Sequence, residues 1–390
     1  MDEKERCLRG KRPFTAMQII GVFLIIFTLV GCGGPSAEEL EAIDYTPLPG
    51  GDWELSTPEE EGVDPLLVAE MYHDAAELET LYGLLVVKNG RLIAEGYFNE
   101  GSIDEQFDRA SATKSFTSAL VGIALEQGCL SSVDQKMIDF FPEYADQITD
   151  PRKAEITIRD LLQMRGGYPD EEYTPPYMEI LYWSDNWHHV PHLVDFPLTS
   201  DPRTEFQYSN LTSHLLAVVV ARACDTDLMS FSQEYLFTPL GGKVGDWYPD
   251  ADNYHLGGMG IFVSARDMAK FGQCFLNGGQ YDDQQVITAD WVNDSLQSYS
   301  ANIRRGGSNS YGSFRDIGYG YQWWSGRVGG HDFNYAAGHG GNYIILLHDL
   351  DMVIVTTADP MHGVFGSESW QHEGAINNLV ADFVASLPEQ

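Results

Sequence analysis

At 390 residues, 43% hydrophobic and 21% charged, with a mean hydropathy of −0.23, the chain has the composition of a soluble globular protein, not of a disordered or multi-span membrane one. Charge is lopsided: 58 acidic against 23 basic residues give −35 and a pI near 4.4. Eight lysines and fifteen arginines spread over such a surface cannot form the basic face that displaces counterions from a duplex, which excludes nucleic-acid binding.

The first segment reads as an address. Lys4, Arg6, Arg9, Lys11 and Arg12 precede an apolar run from Ala16 to Val30. At about 15 residues that run falls short of the roughly 20 needed to span a bilayer, and 1–31 is predicted to be a signal peptide. It ends Leu29-Val30-Gly31-Cys32, the pattern of a bacterial lipobox, in which Cys32 is lipidated and becomes the new N-terminus. Gly33 in place of Asp favours the outer membrane if the source is Gram-negative. The expectation is an exported lipoprotein, on the periplasmic face of that membrane or otherwise at the cell surface, touching the bilayer through its anchor only. Residues 32–52 read as lipidated Cys and tether, and 53–390 as one globular domain.

Leu84–Lys88 and Arg91–Phe98 flank Asn89-Gly90, a hairpin signal because type I′ turns need positive φ at both central positions. A helix is predicted from Ser111 to Gln127. Others are capped by Thr157, cover Leu211–Ala223, run from Ser264 to Asn277, and start at Thr288. Arg304–Gly330 reads as loop with an embedded strand. Asn342–His348 and Met352–Thr357 read as strands, and Trp370–Ser386 as a last helix. Strands at both ends with helices between predict an α+β fold whose terminal segments share one sheet beside a helical lobe. Cys129, Cys224 and Cys274 are odd in number without CxxC spacing, so buried free thiols are expected.

Neither a G-x-S-x-G elbow nor H-E-x-x-H occurs, which removes support for an α/β-hydrolase or a zincin. Ser111-Ala112-Thr113-Lys114 is an S-x-x-K at a helix start, and its i, i+3 spacing sets both side chains on one face. A Ser hydroxyl needs a base, and a Lys amine serves once burial and positive potential lower its pKa. Alone this motif is weak, with an N-capping Ser and a surface Lys equally good. Tyr208-Ser209-Asn210 follows 97 residues after Ser111, before an apolar helix. There a Tyr can relay a proton and an Asn amide can hold substrate or the Lys. His339-Gly340-Gly341 then opens a late strand, where the N–H of Asn342 can complete an oxyanion hole.

S-x-x-K, Y-x-N and a late K/H-x-G triplet, in this order, resemble the serine β-lactamase and penicillin-binding-protein superfamily. The resemblance is nearest to class C β-lactamase-related hydrolases of the 6-aminohexanoate-dimer hydrolase and esterase type. It runs from about Trp53 to the C-terminus, through Leu161–Gly167, Leu256–Gly260, Ala265–Gly272 and Tyr319–Trp324. It implies a β-lactamase/transpeptidase-like fold, an antiparallel terminal-strand sheet flanked by helices plus a mostly helical lobe. It also implies a serine hydrolase with Ser111 as nucleophile, Lys114 as base and Tyr208 as proton relay. Asn210, His339, Gly341 and Asn342 are then substrate-binding, with the N–H groups of Ser111 and Asn342 forming the oxyanion hole. Small esters or linear amides are the expected substrates. A β-lactamase or D-Ala-D-Ala-type peptidase is the alternative enzyme, and a penicillin-binding sensor without turnover the alternative of another class. His-Gly-Gly stands where penicillin-specific relatives have Lys-Thr-Gly, and no Lys follows Lys270; Pro202-Arg203-Thr204 replaces Pro-Gly-Thr.

His188, His189 and His192 invite a metal reading, but Pro191 interrupts the helix that would align them, so lid packing is expected and no metal or cofactor. Tyr168, Tyr173, Tyr177, Tyr182, Trp183 and Trp187 line a cleft or fill a core. Trp323 and Trp324, as strand neighbours, point to opposite faces.

Overall fold

The computed structural model describes residues 34–182, 187–304, 308–363 and 366–389. The predicted signal peptide, Cys32 and Trp183 lie outside the described residues.

Eight strands form one antiparallel sheet. They are β1 (Leu81–Lys88), β2 (Arg91–Tyr97), β3 (Ser310–Tyr311), β4 (Phe314–Tyr319), β5 (Trp324–Val328), β6 (His331–Gly338), β7 (Asn342–Leu347) and β8 (Met352–Ala358). Their order is β2-β1-β8-β7-β6-β5-β4-β3, so the N-terminal hairpin docks on the last strand, with Leu85 opposite Val355. That is the terminal-strand sheet predicted from sequence. Alternation sorts each strand between two cores. Leu85, Val87, Ile344, Leu346, Val353 and Val355 face one, while Leu84, Val86, Ile345, Leu347 and Ile354 face the other. The second core is closed by α1 (Pro65–Ala75) and by α7 (Ser367–Ser386). The first is closed by the helical lobe: α2 (Thr113–Glu126), α3 (Ile158–Leu162), α4 (Asn210–Cys224), α5 (Ala265–Leu276) and α6 (Ala289–Leu296).

The predicted caps form. Thr157 and Asp160 make a reciprocal capping box, and Ser264 and Thr288 accept the N–H groups of Asp267 and Trp291. Trp323 packs on Phe271 and Phe275 while Trp324 stacks on Tyr208, on opposite faces as the strand period requires.

Three expectations change. Arg304–Gly330 holds three strands, not one, because Gly and aromatic residues mask the period-2 pattern. The domain begins near Ala37, ahead of the predicted boundary at 53: Glu95 receives the Leu48 N–H, and Arg266 reaches both the Leu48 carbonyl and Asp52. The expected free thiols are overturned for Cys129 and Cys224, which form a disulfide with Cα atoms 5.0 Å apart; Cys274 is a buried free thiol. Helices α2 and α4 run side by side in the same direction, so their ends meet across a sequence gap of 95 residues.

Candidate active site

Ser111 does not sit inside the helix predicted to begin with it. It occupies a 3₁₀ turn, Ala110–Ala112, ahead of α2, with Ala110 at φ 45°. A non-glycine residue in that region is strained and persists only where its surroundings hold it. Here they do. Asp108 accepts the N–H groups of Ala110 (2.7 Å) and Gly260 (2.9 Å), and Thr113 donates to the Ala110 carbonyl at 2.6 Å. Arg109 is fully buried, paired with Glu105 at 3.0 Å, and donates to the Val263 carbonyl and to Asn342 Oδ1. The end of β6 presses on the same turn: a Cβ at Gly338 would overlap the Arg109 carbonyl. The result is a half-buried hydroxyl on a rigid elbow.

Lys114, 2% exposed, converges on that hydroxyl. Its Nζ lies 3.0 Å from Ser111 Oγ, 2.7 Å from Asn210 Oδ1, 2.8 Å from the Gly258 carbonyl and 4.7 Å above the ring of Tyr208. Two of the three sequence motifs thus supply one cluster, with Gly258 added. Leu256–Gly260 folds over α2 and α4 so closely that a Cβ at Gly257 would overlap the Ser213 carbonyl.

Tyr208 precedes α4 and Ser209 is its N-cap, accepting the Thr212 N–H at 3.1 Å. Glu171, which no motif signals, holds this start. Its carboxylate accepts Ser209 Oγ (2.7 Å), Asn210 N–H (2.8 Å) and Leu211 N–H (3.2 Å). Burial pushes its pKa up to about 7, against the opposing pull of those donors. Burial likewise raises the Asp108 carboxyl. Gln322, at φ 60° and buried, is a further brace: its carbonyl accepts Ser115 Oγ, its Oε1 accepts Ser213 Oγ, and its amide donates to the Leu161 and Leu162 carbonyls. The Asp108-Arg109 pair flanks Ser111 and is readable as buried charge in an apolar setting. Glu171 acts on distant backbone and carries no local signal, while Gln322 lies in the Tyr319–Trp324 match, which gives its place but not its role.

The third motif sits at a turn between two strands. Gly340 (φ 86°) and Gly341 (φ 101°) turn the chain from β6 into β7. His339 leans to α7, with Nε2 2.6 Å from Ser369 Oγ and Nδ1 2.8 Å from Glu373, which also accepts the Gly340 N–H. The Asn342 amide donates to the His339 and Ala358 carbonyls and its oxygen accepts the Ala358 N–H, so any substrate contact of Asn342 is through its main chain. Arg203, in the family's Gly position, takes the left-handed conformation that Gly would (φ 72°) and pairs with Asp160 at 3.1 Å. Of the lid histidines, His188 pairs with Asp252 and His192 stacks on Phe196.

This fold agrees with the comparisons. The chain matches the family Beta-lactamase over residues 81–372 and belongs to it, within the serine β-lactamase and penicillin-binding-protein superfamily of hydrolases. Among curated relatives it is 34% identical over 157 residues to the probable fimbrial assembly protein FimD, serogroup H1, of Dichelobacter nodosus, covering 39% of each chain. It is 24% identical over 251 residues to the 6-aminohexanoate-dimer hydrolase of Paenarthrobacter ureafaciens, covering 62% of this chain and 63% of that one. The chain thus spans less than two thirds of the length of these relatives. Among solved structures, EstCE1, described as a hydrolase with promiscuous acyltransferase activity, superposes with a TM-score of 0.65 at 16% identity, covering 82% of this chain and 98% of that one.

Proposed function

We propose that this chain is a serine hydrolase cleaving small esters or linear amides through an acyl-enzyme on Ser111. The observation that carries the reading is the 3.0 Å approach of Lys114 Nζ to Ser111 Oγ, with Tyr208 beneath the same nitrogen. A Lys114 ammonium uses its three hydrogens on Ser111, Asn210 and Gly258 and cannot accept a fourth proton. The base is therefore the pair: a neutral Lys114, or a Tyr208 phenolate held by the ammonium. Ser111 Oγ gives its proton to this pair and attacks the carbonyl carbon, and the N–H groups of Ser111 and Asn342 receive the oxyanion. The C–O or C–N bond breaks as Tyr208 returns the proton to the leaving group. Water, deprotonated by the same pair, then releases the acid and restores Ser111.

Preference for neutral esters and linear amides over penicillins rests on the third motif. The His339 ring is engaged by Ser369 and Glu373, and the Lys that would meet a β-lactam carboxylate is missing. A net charge of −35 also disfavours anions at long range. The names of the dimer hydrolase and of EstCE1 support the same substrate class. Export as a lipoprotein on Cys32 is the second part of the proposal. The Cys129–Cys224 disulfide supports it, since such bonds persist in oxidising compartments.

The test is a panel of p-nitrophenyl esters, linear amides and nitrocefin. Ester turnover should exceed nitrocefin turnover. Ser111→Ala should abolish it, and Lys114→Ala and Tyr208→Phe should each lower it on the order of 10³-fold, far from additively. Nitrocefin hydrolysis well above the ester rate makes the protein a β-lactamase instead.

A further inference from the structure

The lobe holds a second cluster of chemistry-bearing groups, apart from the Ser111–Lys114–Tyr208 constellation. His189, His214 and Asp250 come from three segments and are 3%, 3% and 4% exposed. Each offers one ligand atom, and these atoms all lie within 4.8 Å of one another. His189 Nε2 faces the Leu181 carbonyl at 2.9 Å, an acceptor only, so the ring hydrogen sits on Nε2 and the Nδ1 lone pair points the other way. That Nδ1 is buried without a hydrogen-bond partner and lies 3.9 Å from Asp250 Oδ2. Asp250 Oδ1 is fixed by the N–H groups of Asp252 and Tyr254, both at 2.9 Å, which leaves Oδ2 for the imidazoles; His214 Nε2 is 3.1 Å from it.

A buried, unpartnered lone pair beside a second imidazole and a carboxylate is costly unless a cation joins them. Two imidazole nitrogens 3.9 Å and 3.1 Å from one carboxylate oxygen, all three within 4.8 Å of one another, suit a tetrahedral ion bound at about 2.0–2.2 Å, with a water in fourth place. We propose that His189 Nδ1, His214 Nε2 and Asp250 Oδ2 bind one divalent transition-metal ion, with Zn²⁺ as the natural occupant. On binding, His214 moves its hydrogen from Nε2 to Nδ1, and the ring stays neutral. That Nδ1 also has no partner, so the metal bonds must outweigh one unsatisfied N–H.

The ion would act as a clip. His214 stands one helical turn after Asn210, which holds Lys114. His189 belongs to the stretch that docks on the 250–252 loop through Ala251 N–H to the Trp187 carbonyl and His188 to Asp252. A metal would join this stretch and that loop to the helix carrying Asn210, and so stiffen the wall beside the active site.

The test uses the full chain, stripped with EDTA and titrated with Zn²⁺ or Co²⁺. The expected results are one tight equivalent of zinc, a visible tetrahedral Co²⁺ spectrum, a raised melting temperature and slower proteolysis around His189. His189→Gln and Asp250→Asn should each weaken zinc binding by about 100-fold or more, and His189→Cys should retain it. The partly exposed group His362, Glu368 and His372 is the internal control: His372→Gln should keep the tight equivalent. A parent protein that gives no cobalt spectrum overturns the proposal whether or not any variant folds. So does a tight equivalent that survives His189→Gln and Asp250→Asn, or one that His372→Gln removes.

Discussion

Glu171 is where a single side chain has most leverage on the site without touching a substrate. It fastens the start of the helix that Tyr208 precedes, Ser209 caps and Asn210 opens. Its carboxyl titrates near pH 7 when folded against an ordinary value of 4.5. Between those values the folded chain holds a proton that the unfolded chain releases. The stability this group contributes is therefore complete below about pH 4.5 and is lost as pH rises through 7. The fall in melting temperature from pH 5 to pH 7.5 should be smaller in Glu171→Gln than in the parent; equal slopes by calorimetry would rule this out. Ser111, Lys114, Tyr208 and Asn210 were all legible as motifs, because the proposed chemistry demands each residue type. Glu171 was not, because a carboxylate that braces remote backbone has no fixed spacing from what it braces; Gln322 lies in the Tyr319–Trp324 match, but its bracing role is set by contacts far away in the chain. His339 shows the converse: its motif position was readable, but the Ser369 and Glu373 that turn it away lie 30 and 34 residues later on α7.

Helices α2 and α4 form a two-ended unit. Their N-termini meet at Lys114 and Asn210, and their C-terminal ends are joined by Cys129–Cys224. A cross-link closing so long a loop typically contributes 2–5 kcal/mol. Cys129→Ser should therefore unfold about 2–4 kcal/mol more easily in urea, and dithiothreitol should weaken the parent but leave the variant unchanged. A variant as stable as the oxidised parent would show that the bond adds nothing. The helices and their caps were predictable one at a time, since Thr157, Ser264 and Thr288 act within three residues. Their parallel pairing was not: it depends on which of several apolar faces meet, and so the disulfide went unread. β6 was missed for a related reason. Its Gly338 is small because it abuts the Ser111 turn, and a residue chosen for close approach weakens the strand signal.

The charge of the chain acts on it as a whole. With 1–31 removed, five basic and three acidic residues leave and the net becomes −37, so self-repulsion opposes the compact state. Raising NaCl from low to physiological strength and beyond screens that repulsion and should raise the melting temperature steadily; an indifferent melting temperature would dismiss it. Anchoring separates from folding: in a Gram-negative host the parent should fractionate with membranes and Cys32→Ser should be released or stall in processing. Equal membrane association of the two would count against lipidation.

Everything said of the chemistry stands on Ser111 as the atom that is acylated. A fluorophosphonate reacted with the intact protein, followed by peptide mapping, reads that atom. The account predicts one adduct per chain, on the peptide containing Ser111, formed slowly in Lys114→Ala and not at all in Ser111→Ala. A label on any other residue, or undiminished labelling of Ser111→Ala, would contradict it.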